Sequence, residues 1–295
     1  MKRKRAITAA LVLAVLVSML CVAWGDMGPK PSVRVEFENM DDALCYATLL
    51  SERSSTGPSS AWDGNPENAR HDGMVGYADL SEEIWRSFVD YADSDGYYFL
   101  QEGWQVSAEE GLAWTYYPPN PFKILLYFPE TDTFMTSGIY ERYAFDSYFT
   151  VDMAALSEDG LLLAEKDYQW GGEVAAFLAR FAITFVIEMA VALLFGFREK
   201  RQLLVLLIVN GATQMMLNGA LSIIDYHSGY IAFILFYILF ELLITIIEAV
   251  VYAAQLPRYG QKTKKRWVCV VYAIAANFVS FHAGLYIAMR FTGIA

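Results

Sequence analysis

Carboxylates and amides recur inside otherwise apolar stretches of the second half of this chain: Glu188, Asn210, Gln214, Asn218, Glu241, Glu248 and Asn277. A carboxyl group surrounded by hydrocarbon must be protonated, paired or hydrated, so residues of this type at such positions can hold or pass a proton or a small cation. Amides and hydroxyls there can instead donate to those carboxyls across helix contacts and fasten helices together. Helical spacing organises them. Asn210, Gln214 and Asn218 share one face, while Glu241 and Glu248 lie nearly on one face with Thr245. Counted inward from the ends of their apolar runs, Glu188, Asn210, Gln214, Glu241 and Asn277 fall at comparable depth, with Ser280 and His282 close to the last of them. The expectation is one polar cluster containing all five, with Glu241 as its titrating group. Glu248 counts as nearer a helix end, within reach of Lys264 or Lys265, and Arg180 is expected to extend to an interface.

Four apolar runs must position these residues: 174–197, 203–224, 230–256 and 267–289. Each reaches or exceeds the roughly 20 residues that a helix needs to cross a hydrocarbon core. Their connectors alternate: 198–201 and 257–266 are basic, and 225–229 is nearly uncharged. Lysine and arginine are retained on the cytoplasmic side during insertion, so 198–201 and 257–266 are expected in the cytoplasm and 225–229 outside. At the start of the chain, Met1-Lys2-Arg3-Lys4-Arg5 precedes an apolar stretch at 6–23, which places residues 26–172 outside as well. Small residues at Ala23 and Gly25 suit signal peptidase, but the apolar stretch is long for a leader. Residues 1–25 therefore read as a signal peptide or an N-terminal membrane anchor.

The external part carries the acidity. The chain has a net charge of −11, yet residues 26–170 alone hold 27 acidic and 8 basic residues. Such a surface repels nucleic acid and anionic bilayers, and it keeps an external domain soluble. Cys45 is its single cysteine, so no disulfide forms within it and it must fold on its own core. The alternation of residues 32–38 predicts a half-buried strand, with further strands at 45–50, 97–101, 111–117, 122–128, 133–137 and 143–151. Pro129-Glu130-Thr131-Asp132 predicts a hairpin turn, and the polar segment 51–72 a long surface loop. Ser81 is a fitting N-cap for a helix running to about Tyr91, with Ile84, Trp85, Phe88 and Val89 on its apolar stripe. The fold class is thus α+β: a mostly antiparallel, sandwich-like extracytoplasmic domain over 26–172 with one inserted helix, then a four-helix transmembrane domain over 173–295.

Motifs for chemistry are scarce in the external part. Asp93-Ser94-Asp95-Gly96 followed by Glu102 resembles part of a calcium loop, but Tyr91 stands where the first carboxylate ligand is needed. Tyr116-Tyr117 and the aromatic-rich segment 140–149 could present a ligand platform, although aromatics at alternating strand positions are usually core. No paired metalloprotease histidines, phosphate loop or nucleophile elbow occurs, and the chain has only three histidines. Nothing points to an enzyme, a cofactor or a resident metal.

The stretches CYATLLS at 45–51, FKILLYFPE at 122–130, IYERYAFD at 139–146 and FGFREK at 195–200 resemble a family of uncharacterised clostridial polytopic membrane proteins with an N-terminal extracytoplasmic domain. The resemblance implies the same architecture in a bacterial plasma membrane and supplies no activity or site. Two function classes follow. In one, the external domain binds a ligand or a partner protein, and the helices anchor it or relay its occupancy. In the other, the helices move protons or cations through the polar cluster.

Overall fold

The computed structural model describes residues 30–72, 80–157, 160–168, 170–260 and 264–291, and the leader or anchor expected at 1–25 lies outside them. The N-terminal part is β-rich. Its strands are β1 (Ser32–Glu38), β2 (Cys45–Ser51), β3 (Ser55–Thr56), β4 (Ser59–Ser60), β5 (Tyr98–Phe99) and β6 (Trp104–Val106), followed by β7 (Leu112–Trp114), β8 (Phe122–Phe128), β9 (Thr133–Thr136), β10 (Asp146–Leu156) and β11 (Leu162–Lys166). One sheet has the order β11-β10-β1-β7, a second β5-β2-β8-β9 with β6 also on β2, and β3 pairs with β4 in a small third. Pairing is antiparallel except between β1 and β10, which run parallel from Ser32 opposite Asp146 to Glu38 opposite Asp152.

The period of two explains the core. Val33, Val35 and Phe37 of β1 and Phe149 and Val151 of β10 meet Ala47 and Leu49 of β2 and Phe122, Ile124 and Leu126 of β8 in one cluster. The near-perpendicular contact of the Phe122 and Phe149 rings, with centroids 5.4 Å apart, ties the first sheet to the second. The opposite face of β8 is covered too. Helix α1 (Glu82–Asp90), capped by the Ser81 hydroxyl accepting from the Ile84 amide, lays Ile84, Trp85 and Phe88 against Leu125 and Tyr127. This two-sided burial is why β8 reads as a continuous apolar run and not as an alternation.

Helix α2 (Trp170–Leu194), α3 (Lys200–Gln255) and α4 (Arg266–Phe291) form the second part. Among the described residues, three helices are long and apolar enough to cross a membrane. The middle one differs from expectation, because the runs expected at 203–224 and 230–256 fall, up to Gln255, in one 56-residue element broken only at Gly229, where φ is 75° and ψ 178°. Its two legs fold back on each other: the Gln202 amide donates to the Leu256 carbonyl at 2.9 Å and the Thr213 hydroxyl to Glu248 at 2.7 Å. The helices are inverted relative to a soluble protein, with Ile208, Met216, Val250 and Phe278 exposed and Asn210, Gln214, Glu241, Glu248 and Asn277 buried. That pattern fits hydrocarbon as the surrounding solvent.

The break at Gly229 also joins the two parts. The Phe145 amide donates to the Tyr226 carbonyl at 2.8 Å, and the Phe145 ring occupies the space that a Cβ on Gly229 would enter. A β-branched side chain there would face both a left-handed backbone and that ring. We expect Gly229→Val to cost the junction about 1–3 kcal/mol. Amide hydrogen exchange at Phe145 should accelerate in the variant, and unchanged exchange would show that this contact does not hold the domain.

Candidate functional site

Each helical element contributes to a buried polar network. From α2, the Glu188 carboxyl accepts from the Asn210 amide on the first leg of α3 and from the Ser280 hydroxyl on α4, the latter at 3.3 Å. From the second leg of α3, Glu248 accepts from Thr213 at 2.7 Å and from the Asn277 amide of α4 at 2.7 Å. Ser280 also lies 3.2 Å from the Asn277 carbonyl, which links the two carboxyl groups through one turn of α4. Glu188 and Glu248 are 2% and 0% exposed, and among the described residues neither is held by an ion pair. Buried tyrosines line the network: Tyr272 donates to the Glu188 carbonyl at 3.3 Å, and its ring lies 5.6 Å from that of Tyr252.

Not all of the five residues expected to cluster do so. Glu188, Asn210 and Asn277 belong to this network. Gln214 does not: its carbonyl and side-chain oxygen accept from Asn218 at 2.9 and 3.4 Å, and Asn218 in turn accepts from Arg180 at 3.0 Å. Glu241, 5% exposed, has no hydrogen bond to these residues, and its Oε2 lacks a hydrogen-bond partner among the described residues. Two further expectations are corrected. Glu248 neither extends to a helix end nor meets a lysine, because Lys264 donates to the Phe195 carbonyl at 2.8 Å. Arg180 is not at an interface but 3% exposed, with its guanidinium over the Phe233 ring. His282 turns outward and contacts the Phe278 carbonyl of its own helix at 2.7 Å.

Thr213 and Glu248 are thus members that depth counting missed, while Ser280, expected near Asn277, joins them. A signal for them existed in the spacing, since Asn210-x-x-Thr213 and Asn277-x-x-Ser280 place an amide and a hydroxyl on one face of two different helices. The network is rich in oxygen. Besides the carboxylates, Asn210 Oδ1 and Asn277 Oδ1 are buried without a donor. Uncommitted oxygens beside two carboxyl groups are acceptors, which suit a bound proton, water or hard monovalent cation and not an anion.

The candidates in the β domain resolve differently. Lys123, on the α1 side of β8, places its ammonium 2.6 Å from Asp93 and 2.9 Å from Asp95, so a lysine fills the acidic turn. Asp93 Oδ2 is engaged by the Asp95 and Tyr97 amides. Glu102 lies elsewhere, bonded to Ser59 at 3.1 Å and to Arg70 at 3.0 Å, and burial pushes its carboxyl up despite both partners. Tyr140, Tyr143 and Phe149 pack on the sheet core, which leaves Tyr116 as the exposed member of the aromatic set. No family model, curated protein or solved structure matches this chain.

Proposed function

We propose that this is an integral membrane protein that crosses the bilayer with α2, both legs of α3 and α4, and that the Glu188–Glu248 network binds and passes a proton or a small monovalent cation. The observation that carries this reading is the pair of fully buried carboxyl groups without an ion pair, flanked by amide oxygens that lack donors. Hydrogen bonds between helices account for the donors in the network, but they do not require two carboxylates where amides would serve. The basic connectors 198–201 and 257–266 lie at one end of the helices, joined by the Lys264–Phe195 and Gln202–Leu256 contacts, while residues 225–229 meet the β domain at the other. Retention of positive charge then puts the connectors in the cytoplasm and a sandwich-like β domain outside, in a bacterial plasma membrane.

A second reading keeps the external domain as a binder of a ligand or partner whose occupancy is relayed to the helices. The seating of Phe145 on Gly229 favours it, because a shift of the domain would act directly on the break in α3. Flux separates the two. Purified protein in sealed liposomes should dissipate an imposed proton or sodium gradient faster than protein-free vesicles. A wild type silent towards both gradients would remove the transport reading and leave the relay.

A further inference from the structure

The second leg of α3 and α4 leave a groove of about 560 Å³ between them, lined by residues other than those of the carboxyl network. It starts at Arg258 and Arg266 and runs along Ala253, Ala254 and Ala249 to Thr245 and Ile274. Small side chains make the room, and Ile246, Val250 and Val270 make its walls apolar. Cationic groups occur at one end alone. Arg258 lies 3.4 Å from the Gln255 side-chain oxygen there, and Trp267, beside Arg266, is 61% exposed, as suits an interfacial indole.

Its dimensions select an occupant. From Arg258 to Thr245 the chain rises roughly 20 Å, enough for the ~15 Å that one leaflet contributes to the hydrocarbon core plus part of its headgroup layer. A protein helix, about 10 Å across, could not sink into a channel of this volume, whereas an acyl chain could. A guanidinium pair at the mouth recognises a phosphate by paired N–H donors. We propose that this groove is a binding site for an anionic glycerophospholipid of the leaflet facing connector 257–266, with one acyl chain along the alanines and the headgroup phosphate between Arg258 and Arg266. The proposal rests on the membrane-spanning reading and not on the transport reading.

The test uses the full chain extracted in mild detergent and exchanged in mixed micelles of phosphatidylglycerol and phosphatidylcholine, with retained lipid counted by native mass spectrometry. Wild type should retain one phosphatidylglycerol in preference to phosphatidylcholine. R258Q/R266Q should lower that retention roughly tenfold, as should A254F, which fills the groove from an exposed position, whereas K200Q/R201Q removes equal charge elsewhere and should leave it unchanged. Equal retention of both lipids, an equal loss in K200Q/R201Q, or full retention in A254F would overturn the site. Alkaline carbonate washing of membranes distinguishes the two levels of failure. Protein released by the wash would contradict the membrane reading itself, while an integral protein that retains no phosphatidylglycerol would contradict only the groove.

Discussion

Replacing Lys123 with Met is expected to destabilise the β domain by about 3–5 kcal/mol, the usual cost of stranding one partner of a buried ion pair. The Lys123 side chain is 3% exposed and that of Asp93 fully buried, so the carboxylate left behind has no route to water. Asp95, with its side chain 55% exposed, can rehydrate and contributes little to the loss. Methionine keeps most of the volume against Tyr97 and the sheet, so the penalty is one of charge and not of packing. Adding D93N should therefore recover more than half of it, because the amide still accepts from the Asp95 and Tyr97 amides while the stranded charge is gone. Alkali provides an independent check. Burial lowers the Lys123 ammonium, but the bonds to Asp93 and Asp95 outweigh it and hold it above its ordinary 10.5. A folded value above the unfolded one contributes stability that is present below 10.5 and lost as pH rises through the folded value. Urea unfolding of the full chain in detergent, followed by near-ultraviolet dichroism, should thus steepen above that pH in wild type and not in K123M. A K123M cost below about 1 kcal/mol would mean that the pair is solvated in solution.

What could be read from the sequence divides by the range of the interactions. Strand β8 and helix α1 were legible because short-range rules set them: an apolar run bounded by Pro129, and Ser81 ahead of a stripe at helical spacing. The hairpin between β8 and β9 follows from the turn chemistry of 129–132. The parallel pairing of β1 with β10 left no trace, since partners more than a hundred residues apart are selected by the shared core and not by either strand. The shortening of 97–101 to Tyr98–Phe99 and of 111–117 to Leu112–Trp114 has the same origin: strand ends form only where a neighbour supplies ladder bonds.

In the helical part, the long apolar runs were legible and the partners of their polar residues were not. Gln202 meets Leu256 and Thr213 meets Glu248, so the two legs of α3 run antiparallel in one register. Seven residues back from Glu248, Glu241 stands level with about position 220 of the first leg, one residue of rise matching another. There Leu217 and Leu221 fill the interior and Asn218 is turned to Arg180 and Gln214. Glu241 thus lacks the amide and hydroxyl that receive Glu248, although the two carboxylates share a face. Partner choice came from the fold of α3 at Gly229, which no count along a single helix contains.

The same geometry makes Glu248→Gln the sharpest separation of function from helix adhesion. Glu248 accepts Thr213 on one oxygen and Asn277 on the other, so a glutamine must replace one acceptor by a donor. Thr213 permits this. Its oxygen can accept from the new amide while its hydrogen turns to the Val209 or Asn210 carbonyl, each already at 3.0 Å. E248Q should therefore fold and melt within about 1 kcal/mol of wild type, and Asn277 keeps its acceptor. E248L removes both acceptors, yet Asn277 retains the Ala273 carbonyl at 3.0 Å, so its cost should stay near 1–2 kcal/mol. Flux divides the variants differently. If the carboxyl group carries a proton or coordinates a cation, both E248Q and E248L fall to the protein-free background, irrespective of their stabilities. If it serves adhesion alone, any gradient dissipation by wild type persists in E248Q and declines in E248L only in step with loss of fold. Infrared spectroscopy adds a readout that packing does not move: a carboxyl band that responds to pH in wild type and is absent in E248Q would identify the titrating group directly. Transport undiminished in E248Q and in the corresponding E188Q would remove the network from the pathway and leave it as the fastening of four helical legs.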